Sequence, residues 1–242
     1  MTGISVLPVA GLPEIREGDD LAAMIATAVA LEDGDVVCVA QKVVSKAEGR
    51  VVDLAGVEPS EEALRLAGDG DPRKTEVILR ESARVLRTRP PLVIAETRHG
   101  FVCASAGVDA SNAPAPEQVV LLPDDPDGSA ERLRAALVER TGRTVGVIVT
   151  DTFGRSWRLG IVNVAIGAAG VEVLRDHRGV LDPTGYELHS TVIALADEIA
   201  AAAELVMGKT DRVPVAVVRG LSVAGGGSGR DLVMPPEQDL FR

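Results

Sequence analysis

Apolar positions along the chain follow two rhythms. Short β-branched runs alternate with longer stretches in which apolar residues return every three or four positions. The runs predict buried strands over 4–9, 36–40, 93–95, 101–104, 145–149 and 214–218, with further strands in the small, apolar 160–170 and 171–174. The helical rhythm, opened by Asp or Ser and closed by Gly, predicts five helices. They start at Asp19-Asp20 and run to about 31, at Ser60-Glu61-Glu62, and at Asp71-Pro72 to about 87. The last two are capped by Ser129 and ended by Gly142, and Ala-rich over 190–207 before Gly208. Strands 93–95 and 101–104 read as a hairpin, and Asp33-Gly34-Asp35 and Asp182-Pro183-Thr184-Gly185 as turns. The Pro- and Asp-rich segment 114–127 reads as a crossing between layers, and 224–242 as a flexible tail opened by Gly-Gly-Gly-Ser-Gly. Strands both adjacent to one another and interspersed with helices predict an α+β (mixed α/β) fold, mixed β-sheets with flanking helices. It occupies one domain over 1–242, or two subdomains joined near 113–128.

Three predicted strands end in polar clusters. The run 145–149 stops abruptly at Thr150, Asp151 and Thr152, and a turn over 153–158 carries Arg155, Trp157 and Arg158. A carboxylate beside hydroxyls suits a hard cation such as Mg²⁺ or Mn²⁺, and guanidinium groups suit phosphate or carboxylate. The same logic recurs at Asp109, Ser111 and Asn112, so two loops could set Asp109 and Asp151 around one cation. The competing reading is plain turn chemistry for both loops. After 36–40 comes a basic cluster with Gln41, Lys42, Ser45 and Lys46, readable as a phosphate contact or as a solvated loop.

Composition narrows the classes. Aromatic residues are 2% of the chain, so its 46% hydrophobic content implies an aliphatic core. A net charge of −11 disfavours nonspecific binding to nucleic acid or to an anionic membrane. Cys38 and Cys103 sit in apolar runs as expected of buried free thiols, and no signal peptide or membrane-length apolar run is present, which together predict a cytoplasmic protein. Met207-Gly208-Lys209-Thr210 imitates the end of a P-loop but lacks the earlier glycine and the preceding strand. His99 reads as a loop hydrogen-bonder.

Taken together, GLPEI from Gly11, QKVVSKAEGR from Gln41, ETRHGFVCASAGVDASN from Glu96, VTDTFGRSWR from Val149 and MGK from Met207 resemble the coenzyme F-420:L-glutamate ligase family. The resemblance runs from about residue 7 to 223. It implies an acid–amino-acid ligase that joins L-glutamate to the deazaflavin precursor F-420-0, with GTP as cosubstrate and Mg²⁺ or Mn²⁺, two per site, and K⁺ as cofactors. It further implies an acyl-phosphate intermediate, further γ-linked glutamates as an option, and an intertwined homodimer. Nucleotide contact passes to Leu12, Pro13, Glu14, Ile15, Gln41, Lys46 and Asn112, and metal ligation to Asp109, Asp151 and Thr152. Arg155 and Arg158 are expected as clamps for phosphate or the glutamate carboxylate. Some bacterial relatives continue into a nitroreductase-like domain, so the sequence looks like a stand-alone ligase. A metal-dependent nucleotide hydrolase or phosphatase and a non-catalytic coenzyme-binding relative are the alternatives.

Overall fold

The computed structural model describes residues 3–222 and 225–240. In chain order the elements are β1 (Ser5–Pro8), α1 (Leu21–Ala28), β2 (Val36–Ala40), α2 (Gln41–Ala47), β3 (Val51–Asp53), α3 (Glu61–Ala67), α4 (Pro72–Glu81), β4 (Ser82–Arg89), β5 (Leu92–Thr97), β6 (Val102–Ala104) and β7 (Gln118–Val120). They continue with α5 (Pro126–Thr141), β8 (Gly146–Arg155), β9 (Arg158–Ala169), β10 (Arg175–Asp176), β11 (Val192–Ile193), α6 (Leu195–Met207) and β12 (Val215–Arg219). The fold is mixed α/β, as the element pattern predicts. Its main sheet has the order β1-β12-β2-β8-β9, with β2 and β8 parallel and every other pair antiparallel.

Both faces of that sheet are covered, and this explains the unbroken apolar runs. Val37, Val39, Val147, Val149, Val215 and Val217 face one core, shared with α1 and α5. Their neighbours Val36, Cys38, Ile148, Ala216 and Val218 face a second core, closed by α6. At Gly167 a Cβ would stand 2.2 Å from the Pro126 carbonyl oxygen, so the start of α5 can rest on β9 only because that position is glycine. A third cluster, built on Val77, Ile78, Val93, Ala95 and Val119, lies among α4, the β4-β5-β6 sheet and the β3-β7 pair.

Several expectations are corrected. The helix from Asp71 ends at Glu81 instead of 87, because Ser82 turns extended and β4 pairs directly with β5. The segment after β2 is no loop but the helix α2, whose Gln41, Ser45 and Lys46 are buried. It lacks a side-chain cap, so no start signal marks it in the sequence. The helix expected over 190–207 begins at Leu195, since Val192–Ile193 pairs with Arg175–Asp176. Residues 171–174 form no strand. The Ser129 cap gives way to Asp125, whose carboxylate accepts from the Gly128 N–H. The hairpin of β5 and β6, the Gly142 and Gly208 helix ends and the buried free cysteines are as expected. Of the tail over 224–242, positions 224, 241 and 242 lie outside the described residues. Gly229 in that tail donates its N–H to Asp127 Oδ1 at 2.6 Å. No helix among the described residues is long and apolar enough to cross a membrane.

Candidate active site

The strand β8 does not stop at Val149. It runs on to Arg155, pairing throughout with β9, with a register shift between Val149 and Thr150. A bulge of this kind re-aims the side chains that follow it. Asp151 and Thr152 are therefore successive strand residues and point to opposite faces. Thr152 Oγ1 donates to Asn163 Oδ1 at 2.8 Å and accepts from Lys209 Nζ at 2.5 Å. Asp151 turns the other way, toward Lys42 and Asp109, whose charges it feels.

A cavity of about 530 Å³ opens at this point. Its wall brings together Leu12, Pro13, Glu14 and Ile15 from the chain after β1, Gln41 and Lys46 from α2, Asn112, and Asp151 and Thr152 from β8. Nine positions expected from four distant segments thus share one wall. Asp109 stands one contact behind it: Lys42, which lines the cavity, reaches Asp109 Oδ2 at 2.6 Å. The Asp109 backbone is pinned to Val120 by a two-way bridge, and its carboxylate accepts from the Ser111 N–H at 2.7 Å. Arg155 and Arg158 lie elsewhere, at the exposed end of the β8–β9 hairpin, where Arg155 Nη2 donates to the Leu159 carbonyl at 2.9 Å.

Burial sets the electrostatics. It pushes the Asp151 carboxyl up to about 6, with Asp109 adding to the rise and the Thr152 N–H, Lys42 and Lys209 opposing it. Burial acts upward on Asp109 as well, but the Lys42 and Ser111 hydrogen bonds outweigh it and hold that carboxyl below its usual range. Cys103, nearby, is pushed up to about 12 by burial and by Asp151, which leaves it an inert thiol. Gln41 is 1% exposed, and while its Oε1 accepts from Ser45 at 2.9 Å, its Nε2 has no partner among the described residues. A buried donor without an acceptor costs on the order of 1–3 kcal/mol.

The donor set fits a hard divalent cation. Asp151 and the Thr152 hydroxyl are adjacent on β8 at the cavity wall, Asp109 stands behind Lys42, and ammonium groups already rest on Asp109 and Thr152. Among the described residues no three His, Cys, Asp or Glu side chains cluster as a metal cage. Mg²⁺-type binding needs only one or two carboxylates, completed by water and phosphate oxygens.

Asn163 carries no signal in the sequence, while Lys42 and Lys209 stand there only within a basic cluster and the MGK segment, with no role of their own. Lys42 and Lys46 are four apart and so share a face of α2, a spacing that becomes visible once the segment is taken as a helix. Lys209 follows Gly208, which has a φ of +61° and no room for a Cβ beside Asp211. That glycine ends α6 and delivers the lysine to the cavity.

The family model described as F420-0:Gamma-glutamyl ligase matches residues 11–220. Proteins named coenzyme F420:L-glutamate ligase are similar over nearly their whole lengths. The one from Methanopyrus kandleri is 49% identical over 253 residues, covering all of both chains. The one from Archaeoglobus fulgidus is 49% identical, with 99% of this chain and 96% of the relative covered, and that from Methanothermobacter thermautotrophicus 44% identical, with 99% of each.

Proposed function

The chain belongs to the F420-0:gamma-glutamyl ligase family, a family of ligases, and from that premise we propose that it joins the carboxylate of coenzyme F420-0 to the amine of L-glutamate using GTP. The observation that carries the nucleotide part of this reading is the convergence on one cavity of the Leu12–Ile15 segment, α2, Asn112 and the carboxylate end of β8.

The reaction fits a site of this composition. The γ-phosphoryl group of GTP passes to the acceptor carboxylate, giving an acyl phosphate and GDP. The glutamate amine then attacks the acyl carbon, the C–O bond to phosphate breaks, and an amide, inorganic phosphate and a proton result. Each step gathers anions, and positive charge must offset their repulsion. Lys209 supplies it from one wall and Lys46, which the structure pairs with Glu14 at 2.5 Å, from another, and the Gln41 amide offers its Nε2 N–H to the nucleotide. Asp109, Asp151 and Thr152 would hold Mg²⁺ or Mn²⁺, two per site, with K⁺ assisting; such ions polarise phosphoryl oxygens. Addition of further γ-linked glutamates would repeat the same chemistry on the lengthened product.

The proposal includes a homodimer. The hairpin end beyond Asp151 projects Trp157, Leu159 and Ile161 at 80%, 98% and 60% exposure, apolar surface that a second copy would cover. In such a dimer Arg155 and Arg158 would be presented at the interface, free to clamp phosphate or the glutamate carboxylate there.

The test is mass spectrometry of F420-0 incubated with the protein, GTP, Mn²⁺ and L-glutamate, with single omissions. A product heavier by one or more glutamyl units, found only in the complete mixture, is the expected result. GTP consumption without glutamate and without a heavier product would instead establish a nucleotide hydrolase. Sedimentation of the protein at twice its 25.2 kDa mass tests the dimer.

A further inference from the structure

A second cavity of about 610 Å³ lies further along the β8–β9 ladder, and the ligase chemistry above leaves it unused. Its walls are apolar, with Leu86 of β4, Ile94 of β5, Val164 of β9 and Met234 beyond β12. The chain has only three phenylalanines, and two of them, Phe101 and Phe153, line this one cavity. Their rings meet edge to face with centroids 6.1 Å apart. In a chain so poor in aromatic residues, that convergence marks a surface for flat, apolar ligands.

The polar groups in the lining are Arg87, Ser156, Asp197, Gln238 and Asp239. Asp197, in the first turn of α6, accepts from the Ala165 N–H at 2.9 Å through Oδ1, and no described residue donates to Oδ2. That oxygen can accept a ring N–H. Arg87 at the rim has no carboxylate partner among the described residues, and its Nη1 donates to the Leu86 carbonyl at 2.8 Å. It suits an anionic side arm. The cavity also adjoins the reaction centre: Val164 in its wall is the direct cross-strand partner of Asp151, and Phe153 follows Asp151 by two positions on the same face of β8.

Building on the ligase reading, we propose that this second cavity seats the fused aromatic ring of the coenzyme precursor, so that its carboxylate arm passes Val164 to meet the nucleotide beside Asp151. Two cavities adjoining along one strand pair then hold the two reactants of the phosphoryl transfer, the nucleotide in the charged one and the ring in the apolar one.

The experiment titrates F420-0, followed by the fluorescence anisotropy of its own ring, with the full chain and two variants, beside ligase kinetics. Val102→Trp fills the cavity mouth from a side chain that is 40% exposed, so the core is undisturbed. Phe153→Leu removes one wall ring and keeps an apolar side chain. Both are expected to raise the Kd and KM for F420-0 at least tenfold while the KM for GTP stays within about twofold. If the unaltered protein binds and ligates F420-0 and both variants do so equally well, the ring sits elsewhere and the ligase reading stands. An equal loss of GTP and F420-0 binding in both variants also overturns the proposal, since the cavity would then only support the fold. If the unaltered protein neither binds nor ligates F420-0, the ligase reading falls and this inference with it.

Discussion

One step across the β8–β9 ladder separates two cavities of opposite character. Asp151 lines the first and its cross-strand partner Val164 the second. The first gathers polar groups at a cost to the fold: a carboxyl pushed up to about 6 and a buried Gln41 Nε2 without a partner among the described residues, with Lys209 resting on Thr152 beside them. The second is walled by side chains that also belong to the packed interior, Phe101 among the core residues and Phe153 and Val164 against them. The buried Asp151 carboxyl is therefore held against the stability of the fold, whereas the apolar side chains contribute to it. Substitution in the first cavity should remove function and spare or raise stability. Substitution in the second should lower both.

The largest expected effect is at Asp151. Asp151→Asn keeps the shape and removes the charge, and it should lower ligation on the order of 10³-fold or more, the scale of losing several kcal/mol of charge stabilisation. Far-UV circular dichroism should be unchanged. Full activity in that variant, read by the mass of the product, would take Asp151 out of the site. Lys209→Met comes next. A charged contact to phosphate contributes about 1.5–3 kcal/mol, so the KM for GTP should rise roughly 10- to 100-fold, with the KM for glutamate little changed. An unaltered KM for GTP would mean that Lys209 serves only Thr152.

Gln41 and Phe153 set the two cavities directly against each other. Gln41→Met removes an Nε2 donor with no partner among the described residues but also the acceptor of the buried Ser45 hydroxyl, so its melting temperature should stay within a few degrees of the unaltered protein's as the KM for GTP rises about tenfold. Phe153→Leu should cost about 1 kcal/mol of stability through lost packing. If Gln41→Met lowered the melting temperature by more than Phe153→Leu does, the amide would be a structural group and the contrast would fail.

The two cavities were also unequally legible in the sequence. Charged residues just after apolar runs announce themselves, and Asp109, Asp151, Lys46 and Asn112 could be named from local pattern and motif resemblance. Even there the geometry was hidden. Asp151 and Thr152 read as a loop because a continuing strand is specified by its partner β9, 12 residues long, and not by the apolar run alone. Lys42 and Lys209 were visible as residues but had no direction until α2 and the end of α6 were placed. The apolar cavity left no local signal whatever. Phe101, Phe153, Val164 and Met234 each look like ordinary core residues, and only the tertiary arrangement collects them. The α4–β4 boundary failed for a related reason: the helical pattern continued past Ser82, and pairing with β5 overrode it.

The pH dependence of stability has the sharpest sign. Burial holds Asp151 at about 6 in the folded protein against 3.8 for an unperturbed Asp. Between those values the folded state binds the extra proton, so stability of the metal-free protein falls as pH rises through that window. Above about 6 the full penalty is present, on the order of 2–3 kcal/mol for a shift of this size. Asp109 has the opposite sign: its lowered pKa contributes stability above the unfolded value that is lost on acidification. Thermal melts in metal-free buffer should therefore show Asp151→Asn more stable than the unaltered protein at pH 8 by several degrees, with the difference gone near pH 4. Asp109→Asn should be less stable at pH 8. Adding Mn²⁺ with GDP should erase the Asp151→Asn advantage, because the unaltered carboxylate then has a counter-charge. An Asp151→Asn melting point below that of the unaltered protein at pH 8 would mean that the carboxylate is already neutralised by Lys42 in the free protein, and the division between the two cavities would rest on Gln41 alone.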